Sequence, residues 1–294
     1  MVKKKLRLLV GIVNEKVEII ARALAAQNEF DVHLIGVGYK TKGLPSVMLA
    51  EERKLLAKLD EFIEISEESG VCDIQDIIGH VIKEKSIDFV MPLEDASTCL
   101  MADRKARYEI AGAVVLAPDY GNIEECTDKL KAARALKKYG FVVPRSSPAP
   151  KKASSIDAIV KILGGYPVIA KPRLGSGSMD TSIHYQRFSL AARLEDFLKE
   201  PYILQQYVNG RVYSVEIVSN LQGRVIATVP KLILATDGSV ATCVQIRPQP
   251  VIQDLAARVA RYFGLVGLSN IDILQGEDNQ LYVIDVNPRI SGSI

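Results

Sequence analysis

The stretch that decides the fold is Asn270-Ile-Asp-Ile-Leu-Gln-Gly-Glu-Asp-Asn-Gln-Leu-Tyr-Val-Ile-Asp-Val-Asn-Pro-Arg289. It contains two apolar segments, 270–275 and 281–287, separated by turn residues, and this pattern predicts an antiparallel hairpin. Pro288 ends the second strand, because proline has no N–H to donate to a neighbouring strand. Working outward, the segments between residue 167 and this hairpin also read as strands joined by turns. The second part of the chain is therefore predicted to be an antiparallel α+β fold.

The first part of the chain shows a different pattern. Apolar strands at 6–13, 31–37 and 88–92 alternate with helical segments such as 16–27. Strictly alternating strands and helices predict a doubly wound parallel sheet of the α/β class. The pattern changes after Pro118, so we expect one domain at 1–118 and another at 119–294.

The closing hairpin carries side chains that suit a cation. Asp285 and Asn287 lie two positions apart and therefore share one face of the strand. If Gln275 pairs with Gln280, Asp272 opposes Val283 and becomes the diagonal neighbour of Asp285. Carboxylate and amide oxygens suit magnesium, so Asp272, Asp285 and Asn287 are candidate metal ligands. The alternative is a solvated strand end, which the acid within the apolar segment 270–275 argues against.

Two further features suit phosphate. Arg289 follows the hairpin, and its planar guanidinium matches phosphate oxygens. Upstream, Lys171-Pro-Arg-Leu-Gly-Ser-Gly-Ser178 places a cation at the end of a strand, followed by a small-residue loop whose amides can wrap an anion. The spacing is not that of a Walker A loop, and a plain surface turn is the alternative.

Composition and charge exclude several classes of protein. The chain has 294 residues and a net charge of +2 from well-mixed signs, so no electrostatic feature favours nucleic acid as a partner. The apolar segment 6–13 is about half as long as a membrane helix, so it is interpreted as a buried strand.

The four cysteines, Cys72, Cys99, Cys126 and Cys243, include no Cys-x-x-Cys pair and are interpreted as reduced core thiols of a cytoplasmic protein. The first turn, Gly11-Ile-Val-Asn, lacks the glycine spacing of a nicotinamide-dependent oxidoreductase.

Four motifs occur in a characteristic order in the second part of the chain. They are Lys129 in Glu-Cys-Thr-Asp-Lys, Lys171 with its glycine-serine loop, Gln205-Gln206-Tyr207-Val208-x-Gly210, and Asp285-x-Asn287-Pro-Arg289. Together they resemble the ATP-grasp superfamily, and in particular its carbamoyl-phosphate-synthetase large-chain-like branch.

The resemblance implies a domain organisation. Residues 1–118 would be a Rossmann-like pre-ATP-grasp domain, and residues 119–294 a two-subdomain ATP-grasp fold. Within the latter, 119–207 would hold a linker helix and the lid subdomain, and 208–294 the subdomain that binds metal and phosphate.

The resemblance also implies roles for single residues. Lys129 and Lys171 would contact ATP phosphates, Arg289 would stabilise the transferring phosphoryl group, and Asp272 would join Asp285 and Asn287 as metal ligands. The lid would be formed by Gly175, Ser176, Gly177 and Ser178, and adenine would meet Gln205, Gln206, Tyr207 and Val208.

The implied activity is that of an ATP-dependent carboxylate-amine ligase acting through an acylphosphate. ATP and magnesium, with manganese as an alternative, would be the cofactors. The partners would be a small-molecule carboxylate and an amine, with neither nucleic acid nor membrane, and a homo-oligomer is compatible with this. The alternative is a nucleotide-binding module or partner subunit that has lost its ligase chemistry.

Four positions depart from the family pattern. Gln206 and Val212 stand where many members carry glutamate, Asp285 where glutamate is frequent, and Asp272 where this branch often has glutamine. Valine cannot accept the hydrogen bond of a ribose hydroxyl. The missing glutamates and the short carboxyl terminus together are the basis of the alternative above. Family members usually continue past the Asn-Pro-Arg motif, so part of the acceptor pocket would be missing, disordered or supplied by a partner.

Overall fold

The structure is a computed structural model, and it describes residues 3–39, 46–66, 68–175, 180–237 and 240–291. Within these ranges the chain divides into two compact units, one ending at Tyr120 and the other beginning at Gly121. Among the described helices, none combines the length and the apolar character that crossing a bilayer requires.

The first unit alternates strands and helices. In chain order its elements are β1 (Lys4–Gly11), α1 (Lys16–Ala26), β2 (Phe30–Tyr39), α2 (Ser46–Leu56), β3 (Glu61–Ile65), α3 (Val71–Lys85), β4 (Phe89–Pro92), α4 (Asp95–Asp103), α5 (Lys105–Ile110) and β5 (Val114–Val115).

These strands form one parallel sheet in the order β3-β2-β1-β4-β5, which confirms the predicted α/β class. Apolar side chains of β1 and β2 pack against α1 in a buried cluster that includes Leu8, Val10, Val17 and Leu34. The order of the strands reverses beside β1, as it does in doubly wound sheets.

The second unit carries strands joined mainly as hairpins. Its elements are α6 (Tyr120–Thr127, which begins at the boundary), α7 (Lys129–Lys138), β6 (Ser146–Pro148), a 3₁₀ turn (Ala153–Ser155), α8 (Ile156–Leu163), β7 (Val168–Pro172), β8 (Ser182–His184), α9 (Arg187–Ala191), α10 (Leu194–Lys199), β9 (Tyr202–Gln206), β10 (Gly210–Ser219), β11 (Val225–Asp237), β12 (Val240–Ile246), α11 (Pro250–Tyr262), β13 (Gly267–Gly276) and β14 (Leu281–Asn287).

Two antiparallel sheets result, which confirms the predicted α+β character. A four-stranded sheet has the order β6-β9-β7-β8 and a five-stranded sheet the order β12-β11-β10-β13-β14. Each sheet has its own buried core, the first around Ile156 and Leu204 and the second around Tyr213, Val259 and Ile271.

The structure corrects the interpretation of the cysteines as core residues. All four are free, but only Cys126 is buried, whereas Cys72 and Cys243 are exposed and Cys99 is intermediate. Cys72 lies in the first turn of α3 and Cys243 lies on the edge strand β12, where side chains are not covered by a second layer. Spacing alone did not carry this information.

Candidate functional site

The hairpin of β13 and β14 places two acids directly opposite each other. The predicted register was wrong by one residue: Gln275 pairs with Leu281, not with Gln280. A bulge between Asp272 and Ile273 then shifts the pairing, so that Asp272 faces Asp285 directly and is not its diagonal neighbour. Bulges insert an extra residue into one strand of a pair, and the sequence pattern gave no sign of this one.

The paired acids occupy a costly environment. Burial raises the pKa of Asp272 to about 7, the nearby Asp285 carboxylate acts in the same direction, and a hydrogen bond from Ser214 opposes both. Two carboxylates that share a partly buried site repel each other, so a cation between them stabilises the state in which both are charged. The donor set is therefore one that a divalent cation fits.

Two lysines lie beside these acids. Lys171 is on β7, and its Nζ donates a hydrogen bond to Ile284 O on β14 at 3.3 Å. Burial lowers the pKa of Lys171, Asp285 opposes this shift, and Lys129 adds to it. Lys129 opens α7, and its Nζ donates to the carbonyl oxygen of Gly175. Two ammonium groups on separate elements thus converge beside the acids.

An ion pair fixes the start of α7 against the end of β7. The Asp128 carboxylate caps α7 by accepting from Leu130 N and Lys131 N, each at 3.1 Å. It also accepts from Arg173 Nε at 2.7 and 2.8 Å. Asp128 separates α7 from α6, which ends at Thr127. Burial disfavours the charged carboxylate, but the hydrogen bonds from Arg173 and the backbone outweigh it and lower the pKa of Asp128.

Replacing Asp128 by Ala should lower the free energy of unfolding by about 2 kcal/mol, because the helix loses its cap and Arg173 loses its partner. Since the pKa of Asp128 is lowered in the fold, its contribution is present at neutral pH and disappears as the pH falls below about 4. Urea unfolding at neutral pH and below about pH 4 measures the free energy of unfolding of both proteins. The matched variant Asp157→Ala removes the exposed pair with Arg187 and should cost less than about 0.5 kcal/mol. Equal losses in the two variants would contradict the role of the cap.

The lysines and acids line one cavity of about 300 Å³. Its apolar part is formed by residues from β7, β13, β14 and two connecting segments, namely Pro144, Ile169, Val208, Leu274 and Ile284. The polar lining includes Gly175, Gln205, Gln206 and the charged Lys129, Lys171, Asp180, Glu200, Asp272 and Asp285. A cavity lined by both apolar and charged residues suits a ligand with a flat apolar group and an anionic tail.

Three other predicted residues lie elsewhere. Asn287 and Arg289 are each 9% exposed and are hydrogen-bonded to each other, since Arg289 Nη2 donates to Asn287 Oδ1 at 3.2 Å. Neither they nor Tyr207 belong to the described residues that line the cavity. The predicted lid residues Ser176, Gly177 and Ser178 lie outside the described residues.

A polar network beside the acids was missed at the level of sequence. Across the five-stranded sheet, Lys231, Ser214, Asp272 and Asp285 are successive register partners. In the next row Glu216 pairs with Asn270 and Asn270 with Asn287. Glu216 Oε1 accepts from Lys231 Nζ at 2.7 Å and from Asn270 Nδ2 at 3.3 Å. Polar residues at alternate positions of apolar strands, at 214 and 216 and at 270 and 272, are the signal that could have found this network.

Three further polar side chains of the second unit differ in their surroundings. Lys231 is buried in this network, and His184 is buried between the hydroxyl groups of Ser182 and Ser189. Arg247 is exposed. Within the described ranges, no group of three or more His, Cys, Asp or Glu side chains is arranged to hold a metal ion. Any metal bound here would take part of its coordination from the ligand or from amide oxygens.

Comparison with known proteins identifies a family. The model of the ATP-grasp domain matches residues 126–293. An uncharacterized protein of Methanocaldococcus jannaschii is 30% identical over 175 residues, which cover 58% of this chain and 42% of that protein. The carbamoyl phosphate synthase arginine-specific large chain of Bacillus subtilis is 25% identical over 227 residues, 74% of this chain and 22% of that one. The chain thus spans less than half the length of these relatives.

Solved structures share the fold. The biotin carboxylase domain of the Hydrogenobacter thermophilus 2-oxoglutarate carboxylase, in complex with MgADP, ADP and bicarbonate, matches with a TM-score of 0.73 at 17% identity, over 97% of this chain and 64% of that one. The N5-carboxyaminoimidazole synthetase of Staphylococcus aureus in complex with ADP has a TM-score of 0.73 at 15% identity, over 99% of this chain and 72% of that one.

Proposed function

Since the chain belongs to the ATP-grasp domain family, we propose that it is an ATP- and magnesium-dependent ligase that joins a carboxylate to an amine through an acylphosphate. The observation that carries this proposal is a single cavity that combines an apolar side, two lysines and two facing carboxylates. In this proposal residues 1–118 are the pre-ATP-grasp domain, 119–207 the lid subdomain with its linker helix, and 208–294 the metal- and phosphate-binding subdomain.

In this proposal the nucleotide spans the apolar and the charged lining of the cavity. Its base lies among Ile169, Val208, Leu274 and Ile284, where it loses contact with water. The phosphates lie against Lys129 and Lys171, whose ammonium groups donate charge-assisted hydrogen bonds. Burial lowers the pKa of Lys171 and so destabilises its charged form. A bound anion would stabilise that charged form.

In this proposal Asp272 and Asp285 would hold the metal. Asn287, two positions from Asp285 on β14, would add its amide oxygen. Magnesium is usually bound by one or two carboxylates together with substrate phosphates, which agrees with two facing acids in a cavity of this size. When bound, the metal offsets negative charge on the phosphate oxygens. Arg289, which already donates to Asn287, adds a cation for the transferring group once the nucleotide is in place.

The reaction needs no protein nucleophile. An oxygen of the substrate carboxylate attacks the terminal phosphorus, the bond from phosphorus to the ADP oxygen breaks, and the acylphosphate forms. The amine nitrogen then attacks the carbonyl carbon, inorganic phosphate leaves with the bonding pair, and the nitrogen loses a proton to solvent. The protein contributes by positioning the reactants and by the charges of Lys129, Lys171 and Arg289.

Substrate-dependent ADP release tests the proposal. The full chain is incubated with magnesium-ATP and a matrix of carboxylic acids and amines, and a productive pair should release ADP and phosphate only when both substrates are present. Hydroxylamine serves as a general trap, because it converts an acylphosphate to a hydroxamate in the absence of the natural amine. Binding of magnesium-ATP without ADP release for any acid in the matrix would contradict the ligase.

A nucleotide-binding module without ligase chemistry is the second candidate. It is favoured by one observation: Arg289 and Asn287 bond to each other and do not belong to the described residues that line the cavity. A module of this kind predicts a thermal shift with magnesium-ATP and with a non-hydrolysable analogue, and no hydroxamate with any acid. A dinucleotide that stabilises the chain in place of magnesium-ATP would exclude both candidates.

The raised pKa of Asp272 predicts a pH dependence of metal binding. The carboxyl must lose its proton before it can bind a cation, so magnesium-dependent nucleotide affinity should strengthen by up to tenfold per unit between about pH 6 and pH 7, and then level off. Asp285, Ser214, Glu216 and Arg289 all influence this group. Calorimetry in buffers of different ionisation enthalpy measures the released proton.

The variant Asp272→Asn is the control, because the nucleotide phosphates also titrate in this range and the amide does not. The pH slope of the wild-type protein should exceed that of the variant by up to one proton per bound metal. Identical slopes in the two proteins would show that Asp272 does not bind the cation.

A further inference from the structure

Gln205 lies at the apolar side of the cavity. It is on β9, the strand between β6 and β7, and its register partners are Ser146 on β6 and Ile169 on β7. Opposed residues share a face of the sheet, so Gln205 is beside the apolar Ile169, two positions from Lys171 along β7. Gln205 is only 5% exposed and lines the cavity. A buried carboxamide therefore borders the space assigned to the base.

A chain of hydrogen bonds determines which end of this carboxamide is available. The Ser146 hydroxyl donates to the carbonyl oxygen of Pro144 at 3.0 Å, and Gln205 Nε2 donates to Ser146 Oγ at 3.0 Å. A carbonyl oxygen can only accept, so the single hydroxyl proton of Ser146 is donated to Pro144 O. Ser146 Oγ must therefore accept the hydrogen bond that it makes with Gln205. Only the NH2 end of Gln205 can donate. The acceptor end, Oε1, is thereby turned away from Ser146.

The neighbouring Gln206 is held in the opposite sense. Its Oε1 accepts from Arg145 N at 3.3 Å and from Arg145 Nε at 3.1 Å. Its backbone N–H also donates to Arg145 O at 2.8 Å. Arg145 thus occupies the acceptor end of Gln206, whereas Ser146 occupies the donor end of Gln205. Of these two glutamines, Gln205 is the one whose acceptor is left for a ligand.

We propose that Ser146 is a positioning residue that makes the site selective for purine nucleotides with a 6-amino group, by holding Gln205 with Oε1 towards the base. This rests on the proposed function, since it takes the cavity to be a nucleotide site. A 6-amino group donates to Oε1, whereas the 6-oxo group of a hypoxanthine or guanine base would bring two acceptors together. Sites with a fixed polar partner reject such analogues strongly.

Dissociation constants for magnesium-ATP and magnesium-ITP test the proposal, because the two nucleotides differ only at position 6 and the N1 proton. The wild-type protein should prefer ATP by roughly tenfold or more. In Ser146→Ala the carboxamide of Gln205 is free to rotate, so ITP should bind more tightly and ATP less tightly. The ATP-to-ITP preference should then fall about tenfold. Simple structural damage would weaken both nucleotides together.

Two further variants sharpen the test. Ser146→Thr keeps the hydroxyl and should restore the preference for ATP, and Ser147→Ala, which removes the neighbouring hydroxyl that donates to Pro148 O, should leave it unchanged. An unchanged ATP-to-ITP ratio in Ser146→Ala, with wild-type selectivity for ATP, would overturn the role of Ser146 alone. Failure of the wild-type protein to bind either nucleotide would overturn the proposed function and this inference with it.

Discussion

Replacing Lys171 by Met should reduce ADP release by at least about 10³-fold, because the phosphate side of the cavity loses the cation at the end of β7. The fold should be retained. Burial lowers the pKa of Lys171, so the charged form carries a desolvation cost that a methionine of similar length does not. We therefore expect a thermal midpoint that is unchanged or higher. Steady-state ADP release and thermal unfolding measure the two effects.

The matched control is Lys161→Met, the same substitution at an exposed position of α8. It should change neither turnover nor stability by more than about 0.5 kcal/mol. Near-normal turnover in Lys171→Met would contradict a role of this lysine in binding the phosphates. A large fall in the thermal midpoint would show that Lys171 supports the fold instead.

Replacing Asp285 by Asn should reduce ADP release by roughly 10²- to 10⁴-fold, because the facing pair of carboxylates loses one member. The substitution also has a second consequence. Burial is the larger cause of the raised pKa of Asp272, and the charge of Asp285 is the next, so removing that charge should lower the pKa of Asp272. The metal-free variant should consequently be more stable than the wild-type protein at neutral pH, since two like charges no longer share a partly buried site.

Magnesium titrations of ADP release and of the thermal midpoint follow both effects. Asp237→Asn, at the exposed end of β11, is the control and should behave as the wild-type protein does. If saturating magnesium restored full turnover in Asp285→Asn, that acid would be a minor contributor to the cation site. If magnesium shifted the midpoint equally in both variants, the cation would bind elsewhere.

Much of the fold could be predicted because the signals are local. Alternating strands and helices predicted the parallel sheet around β1, and the turn after Gln275 predicted the final hairpin. The register of that hairpin was wrong by one residue at the turn, where Gln275 pairs with Leu281. The bulge between Asp272 and Ile273 adds a further shift that has no signature in the residue types. The paired acids were thus found, but their direct opposition was not.

The rest of the site depends on contacts between distant segments. Lys231 reaches Glu216 from a neighbouring strand, and Ser146 reaches Gln205 from a strand 59 residues away. No fixed separation along the chain marks either pair, since topology and register decide which residues of a sheet are neighbours. The hydrogen bond from Gln205 to Ser146 exists because β6 and β9 are adjacent in the sheet, and residue types alone do not reveal that adjacency.

The sequence by itself determined the fold class, the order of the motifs and the types of residue that could bind phosphate and metal, because periodicity, turn residues and side-chain chemistry are properties of short segments. Only the tertiary structure decided that Asp272 faces Asp285, that Asp128 ties Lys129 to the end of β7, and that Ser146 orients the carboxamide of Gln205. Those arrangements arise from register, a bulge and hydrogen bonds between segments far apart in the chain, and these exist only when the sheets have formed.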